Sequence, residues 1–218
     1  MSKEVIIHRE AGLSNYADIL KLQTELFDRN LDLKNQEKPT QNHLVFCEHN
    51  AVYTLGKHGN KENLLFDAEK AGAQFFQIDR GGDITFHGEG QLVVYPVFDL
   101  DNFGIGTATF VNLLEEAIIE TLQHYDITAS RLEGAPGIWV NPKGYPKKIA
   151  AVGIKVSRHV TMHGISINVS TNLSWFTKIV PCGISDKGVT SILEQTGKEI
   201  SVSEVADFFL EKMNSVLK

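Results

Sequence analysis

The succession of strand-like and helix-like segments is the feature that most limits the fold of this 218-residue chain. Apolar residues recur at three- and four-residue steps in segments that we predict to be helices, at about 14–30, 107–125 and 202–217. Runs rich in β-branched and aromatic residues predict short strands, at 43–47, 51–55, 75–79, 91–98, 148–157 and 160–169. Polar segments are expected to form surface loops at 34–41 and 141–146.

Short strand-to-strand connections dominate the middle of the chain. This order favours an α+β fold, with a mixed sheet and flanking helices, over a regular doubly wound fold. No linker or internal repeat divides the sequence, so we expect a single domain over residues 1–218.

Composition excludes several classes of function. The chain has 27 acidic and 21 basic residues and a formal net charge of −6, whereas nucleic-acid-binding proteins usually show a basic excess. No apolar run approaches the roughly 20 residues of a membrane span, and the first residues lack a signal-peptide core. The two cysteines, Cys47 and Cys182, cannot form a disulfide framework and indicate a reducing compartment. We therefore expect a cytoplasmic protein that binds neither nucleic acid nor membrane.

The stretch from Arg80 to Gln91 is the most unusual in the chain, because it holds four glycines beside Arg80 and His87. Glycines allow the backbone to approach a ligand closely, but a glycine-rich hairpin would have the same composition. The stretch is not a dinucleotide fingerprint, since the third glycine is missing and a strand follows instead of a helix. Gly56-Lys57 likewise lacks the upstream glycine of a phosphate loop. Neither nucleotide motif is present.

Lys148 stands in a strand-like run whose alternation places it with Ala150, Val152, Ile154 and Val156. A lysine on such an apolar face either extends its ammonium to the surface or lies desolvated with a lowered pKa. The sequence leaves both possibilities open. A desolvated lysine is a good general base near neutral pH.

The two cysteines differ in their surroundings. Cys47 lies in an apolar run and is expected to be a core residue. Pro181 and Gly183 on either side of Cys182 predict a short turn, in which the cysteine is either an inert small residue or a presented nucleophile. His159 and His163 are four apart and could hold zinc with Cys182, but the spacing is unspecific and no metal is expected.

Four blocks together resemble the octanoyltransferases of lipoic-acid synthesis, the lipoate-protein ligase B family. The blocks are Arg80-Gly-Gly-x-x-Thr-x-His-Gly-x-Gly-Gln-Leu-Val93, Lys148-Ile-Ala-Ala-x-Gly153, His163-Gly-x-x-x-Asn168, and Val180-Pro-Cys-Gly-Ile184 followed by Val189-Thr-Ser191. Their order and spacing agree with the family over most of the chain. The resemblance implies an α+β fold of the biotin/lipoate-ligase type.

The resemblance also implies transfer of octanoyl from octanoyl-acyl carrier protein to a lysine of lipoyl domains. The implied acceptors are the E2 subunits of 2-oxoacid dehydrogenases and the glycine cleavage H protein, and no cofactor is implied. Cys182 falls on the acyl-accepting nucleophile and Lys148 on the lysine that activates it. The substrate-binding segments fall on Arg80, Gly81, Gly82, Asp83, Ile84, Thr85, Phe86 and His87, on Ala151, Val152 and Gly153, and on Gly164, Ile165 and Ser166.

Three departures from the family pattern, Asp83, Glu89 and Ser166, bear on the shape and polarity of the acyl pocket. The small residues Ala151, Gly153 and Gly164 are expected to leave room for the acyl chain. Because both implied carriers are acidic, we expect docking on a local basic rim, for which the candidates are Lys57, Lys61, Lys147, Lys155 and Arg158.

Two other functions remain compatible with the sequence. An ATP-dependent lipoate or biotin ligase would share the fold. A non-catalytic module that binds acyl carriers would not need Cys182.

Overall fold

The computed structural model describes residues 3–141, 143–180 and 187–217. The strands are β1 Val5–Ser14, β2 Asn42–His49, β3 Val52–Leu55, β4 Gln74–Gln77, β5 Ile84–His87, β6 Gln91–Val97, β7 Ala129–Leu132, β8 Ala135–Val140, β9 Lys147–Ser157, β10 Val160–Asn168 and β11 Gly188–Val189. The α-helices are α1 Tyr16–Asn35, α2 Thr107–His124, α3 Ile192–Thr196 and α4 Val202–Val216.

Two sheets organise these elements. The main sheet has eight strands in the order β1–β2–β6–β10–β9–β8–β7, with β11 paired to β9, and it mixes parallel and antiparallel pairs. The small sheet has the order β4–β3–β5. The predicted mixed-sheet α+β fold with flanking helices is thereby confirmed.

Alternation along the central strands gives the main sheet two apolar faces. On one face, Val94 of β6 and Ile167 of β10 pack with Phe110 of α2 and Phe209 of α4. On the other face, Ile19 of α1 packs on its neighbours Cys47, Val93 and Tyr95. We call these the α2/α4 face and the α1 face. Cys47 is buried in the sheet, as expected of a core residue.

Side-chain caps begin two of the long helices. The Asn15 side chain accepts a hydrogen bond from the Ala17 N–H at the start of α1, and the Ser201 hydroxyl accepts one from the Glu204 N–H at the start of α4. Both contacts pair backbone donors that a helix N-terminus leaves unsatisfied.

Among the described helices, none is long and apolar enough to cross a membrane.

Some element boundaries differ from the sequence prediction. Helix α1 continues through Asn35, so the predicted loop at 34–41 is wrong in its first two residues. The Lys34 ammonium lies 2.7 Å from Asp99 Oδ1 and 2.6 Å from Asp101 Oδ2, and these ion pairs hold the last turn of the helix. The structure also adds elements that the sequence did not predict, namely β1, β5, β7, β8, β11 and the short helix α3. Strand β1 is largely exposed and shows no apolar alternation, and in β8 Pro136 and Gly137 interrupt the strand pattern.

Candidate active site

A pocket opens on the α1 face of the main sheet, beneath residues 78–87. Its volume is about 960 Å³ when the open space at its mouth is counted. A concave site lined by apolar residues and a few polar groups is typical of small-molecule binding. The predicted site residues that line it are Lys148, Arg80, Gly82, Asp83, Ile84, Thr85, His87, Ala151, Val152, Gly153, Gly164, Ile165 and Ser166. Residues far apart in the sequence thus converge on one cavity.

Two of the predicted binding residues do not line this pocket. Gly81 instead donates its N–H to the Ile154 carbonyl at 3.0 Å, which ties the glycine-rich segment to β9. Phe86 is 1% exposed, and its ring stacks on Trp175 with centroids 5.2 Å apart. Phe86 is therefore a core residue of the small sheet in this structure.

A β-bulge decides where Lys148 points. In the β8–β9 ladder Ile138 pairs with Ala150, yet the next residue, Trp139, pairs with Lys148, so Ile149 is the extra residue of β9. Ile149 joins Ala150 in the core beneath α2 and α4. The prediction that Lys148 shares a face with Ala150 is wrong, because the extra residue reverses the alternation. Lys148 lies instead on the α1 face and lines the pocket.

An aromatic ring lies on one side of Lys148 and a short strand lies on the other. Its Nζ lies 4.8 Å from the centroid of the Trp139 ring, close enough for a cation–π contact. On the other side Val189 of β11 is its parallel partner, and the Thr190 N–H donates to the Lys148 carbonyl at 2.9 Å. Lys148 is half-buried between these neighbours.

Cys182, the predicted nucleophile, lies outside the described residues. The described residues on either side are held by backbone hydrogen bonds. The Val180 N–H donates to the Asn63 carbonyl at 2.9 Å, and the Gly188 N–H donates to the Pro146 carbonyl at 3.0 Å. The chain that follows position 186 therefore runs directly to the partner of Lys148 in the sheet.

Arg80 folds the glycine-rich segment against the small sheet. It is 8% exposed, and one of its terminal nitrogens donates to the carbonyls of Thr54 at 2.8 Å and of Asp83 at 2.7 Å. At Gly56 a Cβ would lie 2.2 Å from the Gly82 carbonyl oxygen, so only glycine admits this approach. The segment is thus both a glycine-rich turn and a wall of the pocket.

Two glycines that were expected to leave room for an acyl chain lie close to neighbouring backbone. A Cβ at Gly164 would lie 2.0 Å from the Val94 carbonyl oxygen, and one at Gly153 would lie 3.0 Å from the Gly81 carbonyl oxygen. At Gly164 the protein itself fills the space that the glycine provides, so the expectation is wrong there. For Gly153, which also lines the pocket, and for Ala151 it stays a prediction.

The pocket also has polar residues that the sequence analysis did not assign. Tyr16, Tyr95, Gln91 and Asn168 line it. Gln91 and Asn168 stand inside the four blocks, so the blocks held a signal for them. Tyr16 and Tyr95 occupy apolar segments and carry no signal that distinguishes them from core residues.

The buried histidines beside the pocket are neutral. Burial lowers the pKa of His87 to about 3 and that of His49 to about 4. His49 Nε2 and the Tyr95 hydroxyl are 2.7 Å apart. At neutral pH these groups can give or take hydrogen bonds but do not add charge to the pocket.

His159 and His163 do not form a pair. His159 lies in the turn before β10, with Nδ1 2.6 Å from Asp101 Oδ1. His163 is buried in β10, with Nε2 3.1 Å from Asp79 Oδ1. The two imidazoles therefore have different carboxylate partners.

Three of the five predicted docking cations already have partners. Lys147 Nζ lies 2.8 Å from Glu194 Oε1, and Lys155 Nζ lies 2.6 Å from Asp79 Oδ2. Arg158 donates to the side-chain oxygen of Asn35. Lys57 and Lys61, on the loop beside Arg80, are exposed.

Curated relatives cover nearly the whole chain. An octanoyltransferase from Parabacteroides distasonis is 45% identical over 213 residues, which are 94% of this chain and 96% of that protein. An octanoyltransferase from Bacteroides fragilis is 44% identical over 196 residues, 88% of this chain and 89% of that protein.

Solved structures share the fold at low sequence identity. A lipoate-protein ligase A bound with ATP superposes with a TM-score of 0.70 and 18% identity, covering 100% of this chain and 86% of that one. A bipartite lipoate protein ligase from Thermoplasma acidophilum, described with its E2 lipoyl domain, gives a TM-score of 0.68 and 14% identity, covering 100% and 84%. The model of the lipoyl protein ligase A/B catalytic domain matches residues 15–214. By its sequence, its fold and the pocket that its motifs enclose, this chain belongs to the lipoyl protein ligase A/B catalytic family.

Proposed function

We propose that the chain is an octanoyltransferase of protein lipoylation in which the acyl group passes through a thioester on Cys182. The activity is that of the curated relatives, which are named octanoyltransferases. The observation that carries the mechanism is the position of Lys148. The bulge at Ile149 turns this lysine into the pocket, and the strand that follows Cys182 in sequence pairs beside it.

The first half of the reaction charges the enzyme. Lys148 takes the proton of the Cys182 thiol, and the thiolate attacks the carbonyl carbon of the octanoyl-carrier thioester. A new thioester forms on Cys182, the bond to the carrier sulfur breaks, and the carrier thiolate receives the proton from Lys148. A thioester is already activated, so this route uses no nucleotide.

The second half transfers the acyl group to the acceptor. The acceptor lysine of a lipoyl domain attacks the Cys182 thioester as a neutral amine, and Lys148, neutral again, takes the proton that the attacking nitrogen loses. An amide bond forms, the bond to the cysteine sulfur breaks, and the thiolate is reprotonated from Lys148. Cys182 and Lys148 thereby return to their starting protonation states.

The walls of the pocket suit an apolar acyl chain. Val93 and Ala151 line the pocket on the main sheet, and Ile78, Phe176 and Val189 line its other sides. Burial contributes roughly 0.8 kcal/mol for each methylene removed from water, so the six methylenes of an octanoyl group would contribute about 5 kcal/mol. This energy favours fatty acyl carriers over acetyl carriers.

The donor in this proposal is octanoyl-acyl carrier protein. The acceptors are lipoyl domains, such as those of 2-oxoacid dehydrogenase E2 subunits and the glycine cleavage H protein. An E2 lipoyl domain is named with one of the ligases that share the fold. We place the reaction in the cytoplasm, where a catalytic thiol stays reduced.

The adduct itself is the decisive test. After incubation with octanoyl-acyl carrier protein without nucleotide, peptide mass spectrometry should locate one octanoyl group on Cys182. Cys47→Ser is the matched control, because Cys47 is 4% exposed and its variant should keep the adduct. Cys182→Ser should lose it. An adduct that persists in Cys182→Ser would refute the mechanism.

The alternative with structural support is an ATP-dependent ligase, because a ligase that binds ATP has the same fold. Transfer of free octanoate or lipoate that requires ATP would favour this alternative. Binding of acylated carrier without turnover, unaffected by loss of Cys182, would favour a non-catalytic module.

A further inference from the structure

Four buried groups form a continuous hydrogen-bonded chain between the pocket and the strand beside Lys148. His87 Nδ1 lies 2.7 Å from Gln91 Oε1, and Gln91 Nε2 donates to Asn168 Oδ1 at 2.8 Å. Asn168 Nδ2 donates to the Thr190 carbonyl at 3.0 Å. The Thr190 N–H then donates to the Lys148 carbonyl at 2.9 Å.

The direction of this chain is fixed by its last acceptor. The Thr190 carbonyl can only accept, so the amide nitrogen of Asn168 must face it and the amide oxygen must face Gln91. The nitrogen of Gln91 then faces Asn168, and it also donates to the Phe86 carbonyl at 3.2 Å. The oxygen of Gln91 faces His87, whose Nδ1 must carry the proton.

His87 is thereby held as one neutral tautomer. Its Nε2 is left as an acceptor, 3.5 Å from the Thr54 hydroxyl, which itself accepts from Arg80 at 3.0 Å. Burial keeps the pKa of His87 near 3, so the ring does not charge near neutral pH. The strand beside Lys148 therefore sets the protonation of a residue in the pocket wall.

All four residues of the hydrogen-bonded chain are buried. Gln91 is 1% exposed, Asn168 5%, Thr190 0% and His87 8%. Removing one amide would leave buried donors and acceptors unpaired on both sides, and the short strand β11 would lose a side-chain support next to Lys148.

We infer that Gln91 and Asn168 are positioning residues for acyl transfer, which hold the strand beside Lys148 in register and fix the tautomer of His87. This inference rests on the proposed function, because the two amides act through Lys148. A misplacement of about 1 Å in a catalytic group costs on the order of 100-fold in rate, so we expect kcat to fall about 10- to 100-fold in Asn168→Ala with little change in KM.

The test follows the thiol of Cys182 and the turnover together. Alkylation of Cys182 is measured against pH by peptide mass spectrometry in wild type, Lys148→Ala, Asn168→Ala and the double variant. We expect both single variants to move the titration of the thiol to higher pH. The double variant should match Lys148→Ala, because Asn168 acts through that lysine.

A matched control separates positioning from stability. Asn102 is 8% exposed and donates to Thr40 Oγ1 at 3.0 Å, in a cluster away from the pocket. Asn102→Ala should lower the melting temperature as Asn168→Ala does, yet leave kcat and the alkylation profile unchanged. Gln91→Glu keeps the acceptor for His87 but loses both donated hydrogen bonds. It should reproduce Asn168→Ala and serves if that variant does not fold.

Two results would overturn the inference. One is an alkylation profile and kcat in Asn168→Ala that match those of Asn102→Ala. The other is an Asn168→Ala effect of equal size with and without Lys148. Failure of the proposed function looks different, since Lys148→Ala would then leave the Cys182 profile unchanged and no octanoyl adduct would form.

Discussion

Replacing Gly153 by alanine separates two explanations for a small residue at the pocket. A Cβ at this position would lie 3.0 Å from the Gly81 carbonyl oxygen and 3.3 Å from Arg80 Cδ, where ordinary contacts are 3.4–4 Å. The glycine-rich segment must then move by a few tenths of an ångström. Such overpacking costs about 1–3 kcal/mol, offset by about 0.5–1 kcal/mol from the reduced freedom of the unfolded chain.

The net loss of about 1–2 kcal/mol in unfolding free energy should lower the melting temperature by about 2–8 °C for a chain of this length. Gly81→Ala is the matched control, because its Cβ would lie 3.5 Å from the Ile154 carbonyl oxygen, an ordinary contact. Calorimetry gives the melting temperatures, and kcat/KM is measured with hexanoyl, octanoyl and decanoyl thioesters. We expect Gly153→Ala to slow all three by a similar factor.

The opposite outcome would refute this reasoning. If Gly153→Ala keeps the wild-type melting temperature and shifts preference from octanoyl to hexanoyl, the glycine provides acyl space. The contact with the glycine-rich segment would then be incidental.

Three further predictions concern pH, a buried ion pair and docking. The folded protein holds His87 at a pKa of about 3, whereas the unfolded chain protonates it near pH 6.5. The free energy of unfolding should therefore fall by up to about 1.4 kcal/mol per pH unit below pH 6.5. Urea titrations that show constant stability down to pH 4.5 would contradict this. Lys34→Met leaves Asp99, whose side chain is 5% exposed, without its ammonium partner and should lower the free energy of unfolding by about 3 kcal/mol in a denaturant titration. Adding Asp99→Asn to this variant should restore part of the lost stability, and no restoration would argue against the ion pair. Lys57→Glu with Lys61→Glu should raise KM for acyl carrier protein at low salt but not KM for a small octanoyl thioester, and equal effects on both would reject this docking surface.

The sequence predicted the pocket better than the path of the chain around it. Residues from separate blocks, such as Arg80, Lys148 and Ser166, were predicted to act together and line one cavity. Membership of the family is confirmed by the family model and the relatives. The roles of Cys182 and Lys148, and the single domain over 1–218, stay predictions.

The errors have physical causes that a periodic pattern does not contain. An alternation of two fails wherever an extra residue enters a strand, and Ile149 is apolar enough to fit either face. Gly164 looks like free space in a sequence, but the Val94 carbonyl fills that space in the structure. Helix α1 extends through Lys34 because this lysine pairs with Asp99 and Asp101, which follow it by 65 and 67 residues in the sequence. Local helix propensity does not include partners so far away.

Strand β9 changes its pairing partners along its length, and this change predicts the order in which the site forms during folding. The first residues of β9 pair on one side with the adjacent β8 and on the other with β11, about 40 residues later in the chain. Contacts of long sequence separation form late, because closing the intervening loop costs entropy. The hairpins that join β7, β8, β9 and β10 can therefore form before Lys148 acquires its neighbour Val189. Refolding should restore the circular-dichroism signal first and acyl transfer afterwards.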